Sequence, residues 1–277
     1  MKKFRAVVTD NPAVMQKFWR LLTSDYPHVI EFRCFAHAVN LLVSGYLRNG
    51  IPKNALKKSC RLISYFNGSQ YWSAAFNSWA KSNGINHKLE TFCETRWYSV
   101  INVFRSVHEH EPAFRYRLKK SENGDCPSIP QDVKDIIIDR AHFRNNEMCL
   151  KLTRTISDTI AESEKTAFTL ADCLLRFMVI YKATALLDFP LLYGELKQHF
   201  LSTVQRRFED YFRNPVYVVA LFLHPKYKIL AIIRAIQYQG CIRGYHIFRL
   251  CMEIYQSRSA RYERSCPKLL QGYRILC

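Results

Sequence analysis

The feature that most limits the fold of this chain is a change of hydrophobic period that happens once, near residue 50. Phe4-Arg5-Ala6-Val7-Val8-Thr9 is a compact run of strand character that ends at Asp10-Asn11. Pro12 fits the first position of a helix, where its missing N–H is not needed, and Asp10 or Asn11 can cap that helix. Val14, Phe18, Leu21 and Leu22 recur at helical spacing as far as about Asp25, and Pro27 stops the helix. His28-Val29-Ile30-Glu31-Phe32-Arg33 reads as a second strand. Cys34 to Leu47 is helical again, with Val39, Leu42, Val43 and Tyr46 apolar. Strand, helix, strand, helix makes a parallel β-α-β unit. Beyond it the spacing stays helical.

The helical segments expected there are Lys53–Phe66, Tyr71–Ser82, Tyr98–Lys119, Gln131–Leu150, Thr166–Leu187, Glu195–Phe212, Lys226–Gln237 and Cys241–Gln256. Ser121 to Pro130, where Ser, Asn, Gly and two Pro gather, is the expected linker. The fold class is therefore an α/β fragment followed by a mainly α-helical domain, predominantly α overall. The final residues, 258–277, form a basic, irregular tail.

Composition narrows the partners. Lys and Arg number 41 against 23 Asp and Glu, a formal charge of +18, and such a surplus points to a polyanion. An apolar content of 48% excludes a disordered composition. The ten cysteines show no short paired spacing, and the opening MKKFRAVVTD lacks the apolar stretch of a secretory signal. The thiols are expected to be reduced and mostly buried, in an intracellular protein. The most apolar stretch, Cys173 to Leu187, is interrupted by Arg176 and Lys182 and is too short to span a bilayer. No membrane association is expected.

Two places carry possible chemistry. Asp10 closes a strand of a parallel pair, where ligands bind in α/β sheets, and a carboxylate there can hold a divalent ion through a hard oxygen. Helix capping explains it equally well. Cys34 and His37 stand at i and i+3 on one helix face, which suits zinc ligation or a Cys-His nucleophile pair. Zinc needs four ligands, with only Cys60 and Cys93 as near candidates, so a packing role is the simpler reading. Basic residues gather at Lys53, Lys57, Lys58 and Arg61, at Arg105, Arg115, Arg117, Lys119 and Lys120, and in the tail. Each face alone suits ordinary solvated surface; their sum suits salt-sensitive phosphate contact.

The strings VVTDNPAVM, CFAHAVNLLV, CETRWYSV and LFLHPKYK, in that order, resemble those of hAT-type DNA transposases, from Val7 to Lys228. The resemblance implies a ribonuclease H-like catalytic core interrupted by a large helical insertion, working through Mg2+ or Mn2+ on an Asp-Asp-Glu set. Asp10 falls on the second acid, followed by Asn11. Cys34 and His37 match the family's Cys-x-x-His helix, and Arg96 and Trp97 its Arg-Trp motif, placed to contact DNA at the cleaved end; by residue type alone Trp97 reads as the first large core residue of a helix, with Arg96 snorkelling beside it. His224 replaces an acid in the family's Leu-Asp-Pro motif.

On that resemblance, residues 1–50 are a partial ribonuclease H-like core and 51–97 a helical continuation to the Arg-Trp motif. Residues 98–257 are an insertion-like helical domain, and 258–277 the tail. Two metals about 4 Å apart need several carboxylates. The family's first Asp, its Glu and its dimerisation segment fall outside this sequence, so the expectation is a piece truncated at both ends. It would be a transposase-derived nucleic-acid-binding protein with DNA as partner and no small-molecule substrate. Asp10 would be a vestigial metal ligand, no metal would be bound productively, and transposition by the chain alone is not expected. Nuclear localisation follows only from that function. The alternatives are an active metal-dependent transposase, if the remaining segments are supplied, and a repurposed helical protein-interaction module. Two isolated parallel strands make a marginal sheet, so residues 1 to 50 should be the least stable part.

Overall fold

The computed structural model describes residues 5–10, 13–93 and 98–227. In chain order the elements are β1 (Ala6–Thr9), α1 (Ala13–Asp25), β2 (Ile30–Arg33), α2 (Phe35–Tyr46), α3 (Gly50–Asn67) and α4 (Gln70–Ser82). They continue with α5 (Ser99–Glu109), α6 (Glu111–Glu122), α7 (Gln131–Ile138), α8 (Arg140–Ser163) and α9 (Leu170–Leu186). A 3-10 turn at Leu191–Tyr193 then leads to α10 (Gly194–Tyr211) and α11 (Val216–Leu223). The protein is mostly helical with one small parallel sheet, as the hydrophobic spacing implies.

The chain divides into two compact units. The first comprises Met1–Val39, Thr159–Phe189 and Leu201–Cys277. Here β1 pairs with β2 in parallel, Ala6 opposite Ile30 through Thr9 opposite Arg33. The ladder is extended at both ends, by the Ile30 N–H donating to the Arg5 carbonyl (2.9 Å) and the Cys34 N–H to the Thr9 carbonyl (2.7 Å). An aromatic cluster forms the core of this unit. Phe177 lies edge-on to Phe35 and Phe212 and is stacked with Tyr211, while Phe32 meets Tyr217 edge-on. Helix α9 starts at a capping box: the Thr169 hydroxyl accepts the Asp172 N–H and the Asp172 carboxylate accepts the Thr169 N–H.

The second unit comprises Asn40–Asp158 and Pro190–Phe200. Leu62, Ile63 and Phe66 of α3, Trp72 and Phe76 of α4, Val103 and Val107 of α5, and Phe114 of α6 build its main core, closed by Val133 and Ile137 of α7. Asn49 caps α3 through its side chain, accepting the Ile51 N–H (3.0 Å). Some of the polar groups inside pair with one another. The buried Ser59 hydroxyl donates to Asn146 Oδ1 (3.0 Å), and the Asn146 amide donates to the Phe104 carbonyl (2.7 Å).

Three expectations need correction. The expected helix Tyr98–Lys119 is two helices, because Pro112, at the start of α6, lacks the N–H that a continuous helix would use there. The chain bends at His110 (φ −94°, ψ 6°). The expected helix Gln131–Leu150 also breaks, at Asp139 (φ −67°, ψ 94°). Its carboxylate accepts the Ala141 N–H (2.9 Å), and α8 then runs on to Ser163. Helix α11 was not anticipated: Val-Tyr-Val-Val-Ala-Leu-Phe-Leu has no polar face to reveal a period.

The expected linker is packed, not free. Ile129 is buried, and the Ser121 hydroxyl donates to the Pro127 carbonyl (3.1 Å) and accepts the Ile129 N–H (3.1 Å). Six described cysteines are free thiols. Cys149 and Cys173 are buried, but Cys34, Cys60, Cys93 and Cys126 are only half-buried, so most of the described thiols are not fully buried as expected. The expected helices after Tyr227 and the basic tail lie outside the described residues.

Candidate nucleic-acid interface

The sheet presents its C-terminal edge through Asp10 and Arg33. Asp10 is exposed, immediately after β1, and its backbone carbonyl accepts the Thr9 hydroxyl (2.8 Å). Asn11 lies outside the described residues. Arg33 ends β2; its guanidinium donates to the Asp210 carbonyl (3.5 Å) and its own carbonyl accepts the Tyr211 hydroxyl (2.7 Å). Burial pushes the Tyr211 phenol far above its ordinary range, with the neighbouring Tyr217 adding to it. A small cavity of about 130 Å³ opens here, lined by Trp19, Arg33, Asp210, Arg213 and Asn214 among others.

Cys34 and His37 flank the first turn of α2, both half-buried. Cys34 interacts electrostatically with the thiol of Cys173, which burial and Asp172 push well above the thiol range. The buried, protonated thiol of Cys173 therefore brings no ready second metal ligand or nucleophile to Cys34. Among the described residues no group of three or more His, Cys, Asp or Glu side chains stands close enough to hold a metal ion. Asp10 is a single hard-oxygen donor, and one carboxylate does not make the donor set of a two-metal centre.

Arg96 and Trp97 lie outside the described residues. Their flanks are held by hydrogen bonds. The Asn67 amide holds the Leu89 carbonyl (2.9 Å), Glu90 accepts from Asn102 (2.8 Å) and Arg105 (3.5 Å), and the Ser99 hydroxyl donates to the Cys93 carbonyl (2.6 Å). Residues 93 and 99 are thereby tied together across the motif. Tyr98, next in sequence to Trp97, is the one non-glycine among the described residues with positive φ (68°). That conformation costs an aromatic residue about 1–2 kcal/mol, so the surrounding packing imposes it. A cavity of about 230 Å³ lies beside it, lined by Asn40, Ser44, Phe92 and Tyr98 among others. His224 accepts the Lys226 N–H at Nδ1 (3.2 Å) and stacks on Tyr227, the behaviour of a turn residue before Pro225.

Of the nine described basic residues in the clusters seen in the sequence, five are paired with acids, some local and some remote. Lys58 pairs with Asp139 (2.7 Å) and Arg61 with Asp132 (2.7 Å), whose carboxyl the Arg61 hydrogen bond holds below its usual range. Arg105 pairs with Glu90 (3.5 Å), Arg115 with Glu111 (2.6 Å), and Lys120 with Asp125 (2.8 Å). Arg117 donates to the Ala75 carbonyl (3.3 Å). Lys53, Lys57 and Lys119 remain exposed without an acid among the described residues. The structure adds three arginines that the sequence clusters missed: Arg140, Arg144 and Arg154 on the outer side of α8, exposed and without an ion pair among the described residues. Their helical spacing was the available signal, hidden by the shorter helix expected there.

Residues 32–132 match the family model of the ZBED1 RNase-like helical domain. That is a domain of hAT-derived, transposase-like proteins. The match runs from the second half of β2 to the start of α7, a little over a third of the chain, and includes Cys34, His37, Arg96 and Trp97. No curated protein and no solved structure matches the chain.

Proposed function

We propose that this chain is a transposase-derived nucleic-acid-binding protein that does not carry out DNA transposition on its own. The observation that carries the reading is the match over residues 32–132 to a helical domain of transposase-like proteins, in a chain of formal charge +18. A protein of that charge gains affinity for a polyphosphate by releasing condensed counterions, which needs no catalytic centre. Arg96, Trp97 and the flanking Tyr98 would contact a DNA end, and Asp10 would be a relict of a metal centre. A nuclear location follows from this function.

The test is fluorescence anisotropy with a labelled duplex DNA. Binding that weakens steeply with salt is expected, together with no nicking of supercoiled plasmid in Mg2+ or Mn2+. Nicking that Asp10→Ala abolishes would instead establish the metal-dependent enzyme. Absence of duplex binding at low salt would overturn the proposal.

A helical protein-interaction module is the second reading, favoured by Leu191 and Leu192, which are 100% and 73% exposed in the second unit. Contiguous exposed apolar surface marks protein contacts. A salt-insensitive complex lost on Leu191→Ser/Leu192→Ser would support it.

A further inference from the structure

We infer that the outer face of α8 is a track for the phosphate backbone of a DNA duplex, an assignment that rests on the nucleic-acid reading above. Arg140, Arg144, Glu147, Lys151, Arg154 and Asp158 follow one another at steps of four and three residues, so they lie on a single stripe of the helix. All six belong to the second unit.

Charge on the stripe is uneven. Lys151 is committed to Glu147 (2.7 Å). Arg140, Arg144 and Arg154 have no acid partner among the described residues. Other guanidiniums, those of Arg61, Arg105, Arg115, Arg176 and Arg213, each sit against a carboxylate. Arg5, Arg20, Arg48 and Arg206 are also exposed without an ion pair among the described residues, but they stand on separate parts of the chain, whereas α8 carries three such arginines on one line.

The geometry suits a duplex. From residue 140 to 154 the helix rises about 21 Å, which is roughly six base-pair steps of 3.4 Å. A guanidinium is the side chain best matched to a phosphate, through paired N–H donors. The stripe also lacks what a protein partner would need. None of the exposed large hydrophobic side chains among the described residues lies on α8, so an interface here would have no apolar centre.

The experiment measures duplex affinity of the full chain against salt. The variants are R140A/R144A/R154A, R140K/R144K/R154K, and R61A/R115A. Alanine favours the helix, and the three arginines are exposed, so the fold is kept; circular dichroism checks it. Each phosphate contact contributes about 0.9 to the slope of log K against log salt. Loss of three lowers the slope by about 2.7. The wild type should then lose about 40-fold more affinity than the alanine variant between roughly 50 and 200 mM salt. The lysine variant should keep most of the slope, and R61A/R115A all of it.

A wild type that does not bind overturns the nucleic-acid reading itself. A wild type that binds, with an alanine variant of unchanged slope, overturns only the α8 track. Polyglutamate competing as well as DNA at equal charge would replace DNA by an acidic protein partner, and overturn the assignment too.

Discussion

Acid should unfold this protein through His142, and the size of the effect follows from its surroundings. His142 is 1% exposed, in the first turn of α8, and neither ring nitrogen has a hydrogen-bond partner among the described residues. Burial, reinforced by the Lys58 ammonium and opposed by Asp139, lowers its pKa from the usual 6.5 to about 4. The folded protein therefore keeps the ring neutral while the unfolded chain takes up a proton near pH 6.5. Stability from this residue is fully present above pH 6.5 and is lost as pH falls towards 4. At about 1.4 kcal/mol per pH unit, that window is worth about 3 kcal/mol.

His142→Leu, of similar volume, removes the titration. Urea unfolding followed by far-UV circular dichroism at pH 7, 6, 5 and 4 compares the two proteins. The wild type should lose about 3 kcal/mol more than the variant over that range. At pH 7 the variant should be as stable or more so, because it no longer buries unpaired nitrogens at a cost of about 1–3 kcal/mol. Parallel loss of stability in both proteins would refute the argument. So would a variant at pH 7 more than about 2 kcal/mol less stable, which would mean that the ring has a partner.

Two further outcomes are expected. Thr169→Ala breaks the capping box of α9 and should cost about 1 kcal/mol by urea titration, with Asp172→Ala costing a similar amount; no loss in either would show the cap to be dispensable. Amides of Val7–Thr9 and Glu31–Arg33, in a two-stranded sheet, should exchange much faster than those of Leu62 and Val103 in the helical core; equal protection would contradict the weakness inferred for the sheet.

The local features of this fold were legible in the amino-acid sequence, because each is written over neighbouring residues. Alternation and β-branching marked β1 and β2, and period 3.6 marked α1 to α4, α9 and α10, with ends within a few residues of those observed. Charge and motif order pointed to a transposase-like origin. Breaks were harder to see: Asp139 looks like an ordinary helical position until its carboxylate is seen capping α8 and paired with Lys58, a residue 81 positions away.

Only the tertiary structure decided which charges are free. Lys58 and Arg61 look like part of a phosphate-binding face, yet α7 brings Asp139 and Asp132 against them. Arg140, Arg144 and Arg154 form no run in the sequence, yet α8 sets them on one line facing water. The physical reason is range. Hydrophobic period and backbone propensity act over a few residues, whereas an ion pair depends on distance in space, which the packing of remote helices sets.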